Sequence, residues 1–331
     1  MSASRPADRP PYDGVRPSSR PVARRGGPSL GTRLRRDWVL LAIALPGVGY
    51  FVLFSYVPLF GYVIAFQSYQ PFLGFANSPF VGLGNFASMV RDAQFWQAIE
   101  NTLVFSLLQL VLFFPAPIAL ALVLSGVIRT RMRRFVQTVI YLPYFISWVI
   151  VVSMFQLLLG GDGLVTVKLA HALGLTAGNW MGDPDGFKWL VTAQVIWKDA
   201  GFGTIIYLAA LLNIDVSLYE AAAVDGASRW QRLWHVTLPG IVGVTVLLLI
   251  LRLGFSLSLG FEQILLQRDS VGPAAGEVLD TYVYYRGIVG GQWGVTAAAS
   301  LIKGLVGLAL VLSANRIAHM LGQPGVYARG T

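Results

Sequence analysis

A chain of 331 residues that is 55% hydrophobic and 12% charged, with a mean hydropathy of +0.62, carries about half the charge of an ordinary soluble domain. Its net charge of +9 avoids three long stretches, for no charged residue occurs over 38–90, 101–128 or 135–161. These facts exclude a soluble fold, and the absence of cysteine excludes disulfides, thiolate catalysis and Cys-ligated metals.

Residues 1–36 are rich in Pro, Arg and Ser, which reads as a disordered cytoplasmic tail. Its nine arginines act better as a basic membrane anchor than as a nucleic-acid site, so no nucleic-acid partner is expected. The apolar region after Asp37 is too long for the h-region of a signal peptide. Gly27-Pro28-Ser29-Leu30-Gly31 matches the GxSxG hydrolase pattern but lacks its strand–turn–helix setting, so it predicts no nucleophile.

About 20 apolar residues suffice to cross a bilayer as a helix. The sequence predicts six such spans, Trp38–Tyr62, Asn101–Val127, Phe135–Leu159, Trp189–Leu212, Ile241–Phe261 and Trp293–Arg316. The expected fold class is therefore an all-α integral membrane protein, with one transmembrane domain over 37–322 and a short tail over 323–331. Arg129, Arg131, Arg133 and Arg134 lie between spans two and three, Arg229 and Arg232 between four and five, and Arg316 and Arg329 follow span six. With the arginine-rich N-terminus on the same side, both termini are expected to be cytoplasmic. The outer loops Gln67–Glu100, Gly161–Lys188 and Glu262–Gln292 carry aromatics, Gly and Pro. His171, His235 and His319 lie far apart without an HExxH pair, so neither a metal site nor a catalytic residue is expected.

The segment 213–240 between spans four and five predicts a helix–turn–helix elbow. Val216–Val224 favours helix, and Ala221, Ala222 and Ala223 leave a surface open to close approach. Asp225-Gly226 signals a turn with positive φ at the glycine. A second short helix should place Trp230, Leu233 and Trp234 on one face and Arg229 and Arg232 nearer the other. Pro239 is expected to reset the backbone direction at the start of span five.

Glu220, Ala221, Ala222, Gly226, Val236, Leu238 and Pro239 stand at the spacing of the EAA loop, and the chain here resembles ABC importer permeases. Val236 occupies a position where isoleucine is more usual. Leu218–Ala227 and Val81-Gly82-Leu83-Gly84-Asn85-Phe86 are similar to the carbohydrate-uptake, maltose-type branch. Tyr141–Trp148 and Asp280-Thr281-Tyr282-Val283-Tyr284 resemble the permeases for complex oligosaccharides, including aldouronate- and alginate-type importers. The resemblance implies a coupling helix in which Glu220, Ala221, Ala222, Asp225, Gly226, Leu238 and Pro239 seat against a separate ATPase. It further implies a second homologous permease subunit, an ATPase dimer that uses ATP and Mg, an extracytoplasmic solute-binding protein, and transport by alternating access in a bacterial cytoplasmic membrane.

A phosphate-cradling P-loop requires GxxxxGK[ST], and none of Lys168, Lys188, Lys198 or Lys303 follows a glycine. The chain itself is thus expected to bind no cofactor. Lys198, Asp199, Arg252 and Lys303 each lie some ten residues inside a span, and should share a depth near the midplane. They form either a polar substrate pathway whose cationic excess suits an acidic, uronate-containing sugar, or internal pairs such as Asp199 with Arg252 or Lys303. Trp148, Gln156, Trp197 and Ser256 are neighbouring candidates for sugar contacts. An importer of another solute, such as a polyol or glycerol phosphate, fits the same loop, and an ion-coupled carrier is the more distant alternative.

Overall fold

The computed structural model describes residues 37–126, 130–173, 178–258, 260–323 and 325–326. The N-terminal tail 1–36, the spanning end expected at Val127 and most of the C-terminal tail lie outside the described residues. The chain divides into two compact units at Phe60 and Gly61. Six helices among the described residues are long and apolar enough to cross a membrane.

The first of these is α1 (Trp38–Phe66), whose residues from Trp38 to Phe60 are all exposed, as suits a surface meant for lipid. Next comes α2 (Ala93–Ser125). It begins eight residues before the expected Asn101, because the Asp92 side chain caps it by accepting from the Gln94 N–H at 3.0 Å. The expected third span is instead two helices, α3 (Thr130–Tyr141) and α4 (Trp148–Leu159). Between them Leu142–Phe145 tightens into a 3-10 turn and Ile146 and Ser147 are extended. Pro143 cannot continue the ladder, and Ser147 starts α4 as its N-cap. The third candidate span is Trp148–Ala172, which is α4 continued past a turn at 160–163 into α5 (Leu164–Leu173), so it starts 13 residues after the expected Phe135.

The fourth span is α6 (Phe187–Leu212), followed by α7 (Val216–Val224), α8 (Arg229–Gly254) and α9 (Trp293–Met320). Span five therefore starts at Arg229 rather than Ile241 and stops before Phe261. The chain leaves the helix through a 3-10 turn, Ser256–Ser258, and a left-handed Gly260.

Prolines break these helices less than expected, and the reason recurs. Val57, Phe114 and Leu238 each precede a proline, and each donates its N–H to the carbonyl five residues back, on Val52, Gln109 and Leu233. A proline lacks the N–H for the carbonyl four residues back, and its ring crowds that carbonyl. One wider π-turn relieves the crowding and lets the helix run on. Pro239 thus sits inside α8 and does not redirect it.

Small residues bring the spans together. An atom added as Cβ on Gly201 would lie 2.2 Å from the Ile140 carbonyl oxygen, so only glycine lets α6 touch the backbone of α3. One buried cluster joins Ala121 and Leu124 of α2, Tyr207 and Leu208 of α6, and Ile241 of α8. A second joins Phe95 and Ala98 of α2, Leu279, Tyr282, and Ala298 and Ala299 of α9. In the Val81–Phe86 motif, Asn85 Nδ2 donates to the Ala65 and Gln67 carbonyls at 3.0 and 2.9 Å, satisfying backbone at the end of α1.

Candidate functional site

The elbow is built from three local devices. The Asp215 carboxylate accepts from the Ser217 N–H at 2.9 Å and starts α7, and these hydrogen bonds hold its carboxyl below the ordinary range. At the other end the Ala227 N–H reaches the Ala222 carbonyl at 2.9 Å and the Gly226 N–H reaches that of Ala223 at 3.1 Å. That is a Schellman motif, which needs a left-handed residue at its turn, and Gly226 supplies it with φ 75°. Ser228 then opens α8 with a capping box, its N–H donating to Gln231 Oε1 at 2.7 Å while its hydroxyl accepts from the Gln231 N–H at 3.3 Å.

The two arms are tied at their base. Thr237 donates its hydroxyl to the Arg232 carbonyl, which leaves Tyr219 to donate to Thr237 Oγ1 at 3.0 Å. Leu238 packs on the cluster of Ala121, Leu124 and Tyr207. Away from this anchor Glu220, Ala221, Asp225, Gly226 and Pro239 are exposed, Ala222 is half-buried, and Val224 is 88% exposed. Glu220 makes no ion pair among the described residues. Trp230 and Trp234 meet edge to face at 5.7 Å, both exposed. Leu233 leaves that pair and lines a cavity with Arg229 and Arg232, because the π-turn starting there changes the angular step of the helix. The outcome is a stiff projection with an alanine and valine tip and an unpaired carboxylate.

The intramembrane charges do not converge on one another as a set. Lys198 is buried, and its ammonium donates to the Tyr144 carbonyl at 2.9 Å and to Asp199 at 3.4 Å. It also lies 5.2 Å from the ring centroids of both Tyr144 and Trp148. The Tyr144 carbonyl is free to accept because the helix is broken at that point. Arg252 bonds the Gln109 side chain and stacks over Phe113 at 4.6 Å, close enough to Asp199 for the two charges to interact. Lys303 pairs with Asp280, which the sequence marks only as part of a motif and not as an ionic partner.

Nor do the remaining candidates share one cavity. Gln156 lines a cavity of 610 Å³ with Ser153, Gln267 and Ser270. Lys303 lines another of 430 Å³ with Tyr62, Ser258 and Ser300. Trp197 packs edge-on to Phe155 at 5.9 Å, and the Ser256 hydroxyl is spent on the Leu253 carbonyl at 2.8 Å.

The segment between α8 and α9 holds the polar network that the sequence concealed. Glu277 is fully buried and accepts from Arg268 and from Gln94 at 3.0 Å, while Arg268 stacks on Tyr285 at 3.9 Å. Gln194, Gln263 and Gln267 form a buried triad with contacts of 2.7 to 3.1 Å. Tyr282 donates to Asp92 at 3.0 Å, and burial together with that carboxylate pushes its phenol pKa well up. The one signal available in advance was charge balance, since each buried cation needs a partner and the segment between α8 and α9 holds Asp269, Glu277 and Asp280.

Comparison with known proteins places this geometry. Residues 113–323 match the family described as binding-protein-dependent transport system inner membrane component. The polygalacturonan/rhamnogalacturonan transport system permease protein YteP of Bacillus subtilis is 46% identical over 295 residues, covering 89% of this chain and 92% of its own. Protein LplB of the same organism is 42% identical over 294 residues, with the same coverages of 89% and 92%. A chain of the crystal structure of a bacterial alginate ABC transporter, in complex with an alginate pentasaccharide-bound periplasmic protein, superposes with a TM-score of 0.82. It is 37% identical, over 90% of this chain and 99% of that one. The chain belongs to the binding-protein-dependent transport system inner membrane component family, and it is an ABC transporter permease, a translocation component rather than an enzyme.

Proposed function

We propose that this permease imports acidic, uronate-containing oligosaccharides across a bacterial cytoplasmic membrane, with both termini on the cytoplasmic side. It works with a second permease subunit, an ATPase dimer that binds ATP and Mg, and an extracytoplasmic solute-binding protein. The observation that carries the reading is the likeness, over 89% and 90% of the chain, to relatives named for polygalacturonan/rhamnogalacturonan and alginate transport. Cation placement supports the acidic class. Arg252 bonds a neutral glutamine and forms no direct ion pair among the described residues, so Asp199 nearby offsets its charge only in part and a passing anion still meets a cation there.

In this mechanism the elbow transmits force. ATPase closure moves the surface on which Glu220–Gly226 is seated. The Tyr219–Thr237 tie and the packing of Leu238 carry that displacement to α6 and α8. Loaded binding protein docks on the outer loops, the spans open outward to receive the sugar, and hydrolysis returns them to the inward-facing state.

The test is the complete importer in proteoliposomes with its binding protein. Oligogalacturonate is expected to stimulate ATP hydrolysis and enter the lumen, whereas a neutral gluco-oligosaccharide of equal length is not. Equal stimulation by the neutral sugar would overturn the acidic assignment.

A further inference from the structure

Where α2 ends and the elbow joins α8, a cavity of 940 Å³ has a wall of four arginines, Arg133 and Arg134 from α3 and Arg229 and Arg232 from α8. No aspartate or glutamate lines it, and none of the four forms an ion pair among the described residues. The Nε of Arg232 is buried without a hydrogen-bond partner. A buried donor without an acceptor, inside a cluster of like charges, costs free energy unless an anion supplies the missing oxygen.

The opposite wall is apolar, with Leu122 of α2 and Leu211 of α6 among its residues. Both lie within a turn or so of the ends of their spans, which places the cavity at the membrane–water boundary. A small inorganic anion would answer the arginines and leave the leucines uncovered. An anionic head on an acyl body answers both walls.

We propose that this cavity binds an anionic phospholipid, its phosphate held by the arginines and an acyl chain laid along the leucines. The lipid would join α3 to the base of the elbow and make coupled transport depend on acidic lipid. Which leaflet supplies it rests on the orientation proposed above; binding itself does not.

The experiment uses the intact importer, purified with its ATPase and second permease, delipidated in detergent, and titrated with phosphatidylglycerol or phosphatidylcholine under native mass spectrometry. Phosphatidylglycerol is expected to be retained at least tenfold better, and R133Q/R232Q to reduce it to the phosphatidylcholine level. R133K/R232K keeps the charge and should keep most of the binding, which separates lost recognition from lost folding. Equal retention of the two lipids, or unchanged phosphatidylglycerol binding by R133Q/R232Q, overturns the proposal. So does displacement by excess inorganic phosphate, which would mark a free-anion site. Loss of the ATPase from R133Q/R232Q with lipid binding intact would instead give the arginines to that interface. Uptake of acidic oligosaccharide is a separate readout, so either reading can fail without the other.

Discussion

Replacing Gly226 by aspartate is expected to abolish uptake while leaving membrane insertion intact. The residue sits at φ 75°, where an L side chain costs about 1–2 kcal/mol and Asn and Asp are tolerated best. A Cβ there would meet no atom of this chain within 4 Å, so the substitution disturbs no internal packing. For Asp or Asn the strain lies at the low end of that range, and about 1 kcal/mol changes an equilibrium by roughly fivefold. Any larger loss must come from a surface outside the chain that approaches the turn too closely for a side chain. Gly226→Asn, with nearly the same strain and no charge, completes the comparison. Both variants should insert at wild-type levels by immunoblot, co-purify poorly with the ATPase, and lose well over tenfold of substrate-stimulated ATP hydrolysis. Wild-type uptake by Gly226→Asp would refute the coupling role of the turn. A loss of fivefold or less in both variants would refute the close approach, because strain alone then accounts for it.

Other substitutions test the frame that holds the elbow and pathway. Gly201→Ala forces a methyl onto the Ile140 carbonyl, and should cost about 1–3 kcal/mol, read as a lower unfolding temperature in detergent. Glu277→Gln removes the buried carboxylate from the Arg268 guanidinium and leaves it only the exposed Asp269 at 3.2 Å, with an expected loss of about 3 kcal/mol, whereas a matched apolar replacement of both partners should recover much of it. Lys198→Met removes the donor from the Tyr144 carbonyl, and should cost about 1–3 kcal/mol in the same assay.

The number of spans and the elbow were legible because each follows from a local requirement. A bilayer demands about 20 apolar residues, and a reversal at Asp225-Gly226 demands a residue that accepts positive φ. The break between α3 and α4 was not legible from hydropathy, since Leu142–Ser147 lies within one uncharged run over 135–161 that crosses both helices. Proline did not settle it either: Pro143 ends a helix while Pro239 is absorbed by a π-turn. The charged residues within the spans were named one by one, but their partners were not. Lys303 with Asp280 and Arg252 with Gln109 are pairings across 23 and 143 positions, set by tertiary packing that no local pattern encodes. The motif strings gained physical meaning only in three dimensions, where Asn85, Tyr144 and Asp280 each tether one helix to another element.

The π-turn before Pro239 bears on how a push at the elbow is felt further along. An intact helix resists bending because opening one side breaks hydrogen bonds. At Pro239 one bond is already missing by chemistry, and the turn before it is already wide. Flexure there costs fewer hydrogen bonds than elsewhere in α8, which makes this level the natural pivot, with Thr237 and Tyr219 beside it. If the elbow is pushed as proposed, a displacement of the tip would be delivered as rotation near one level of the span, with the helix beyond Pro239 left straight.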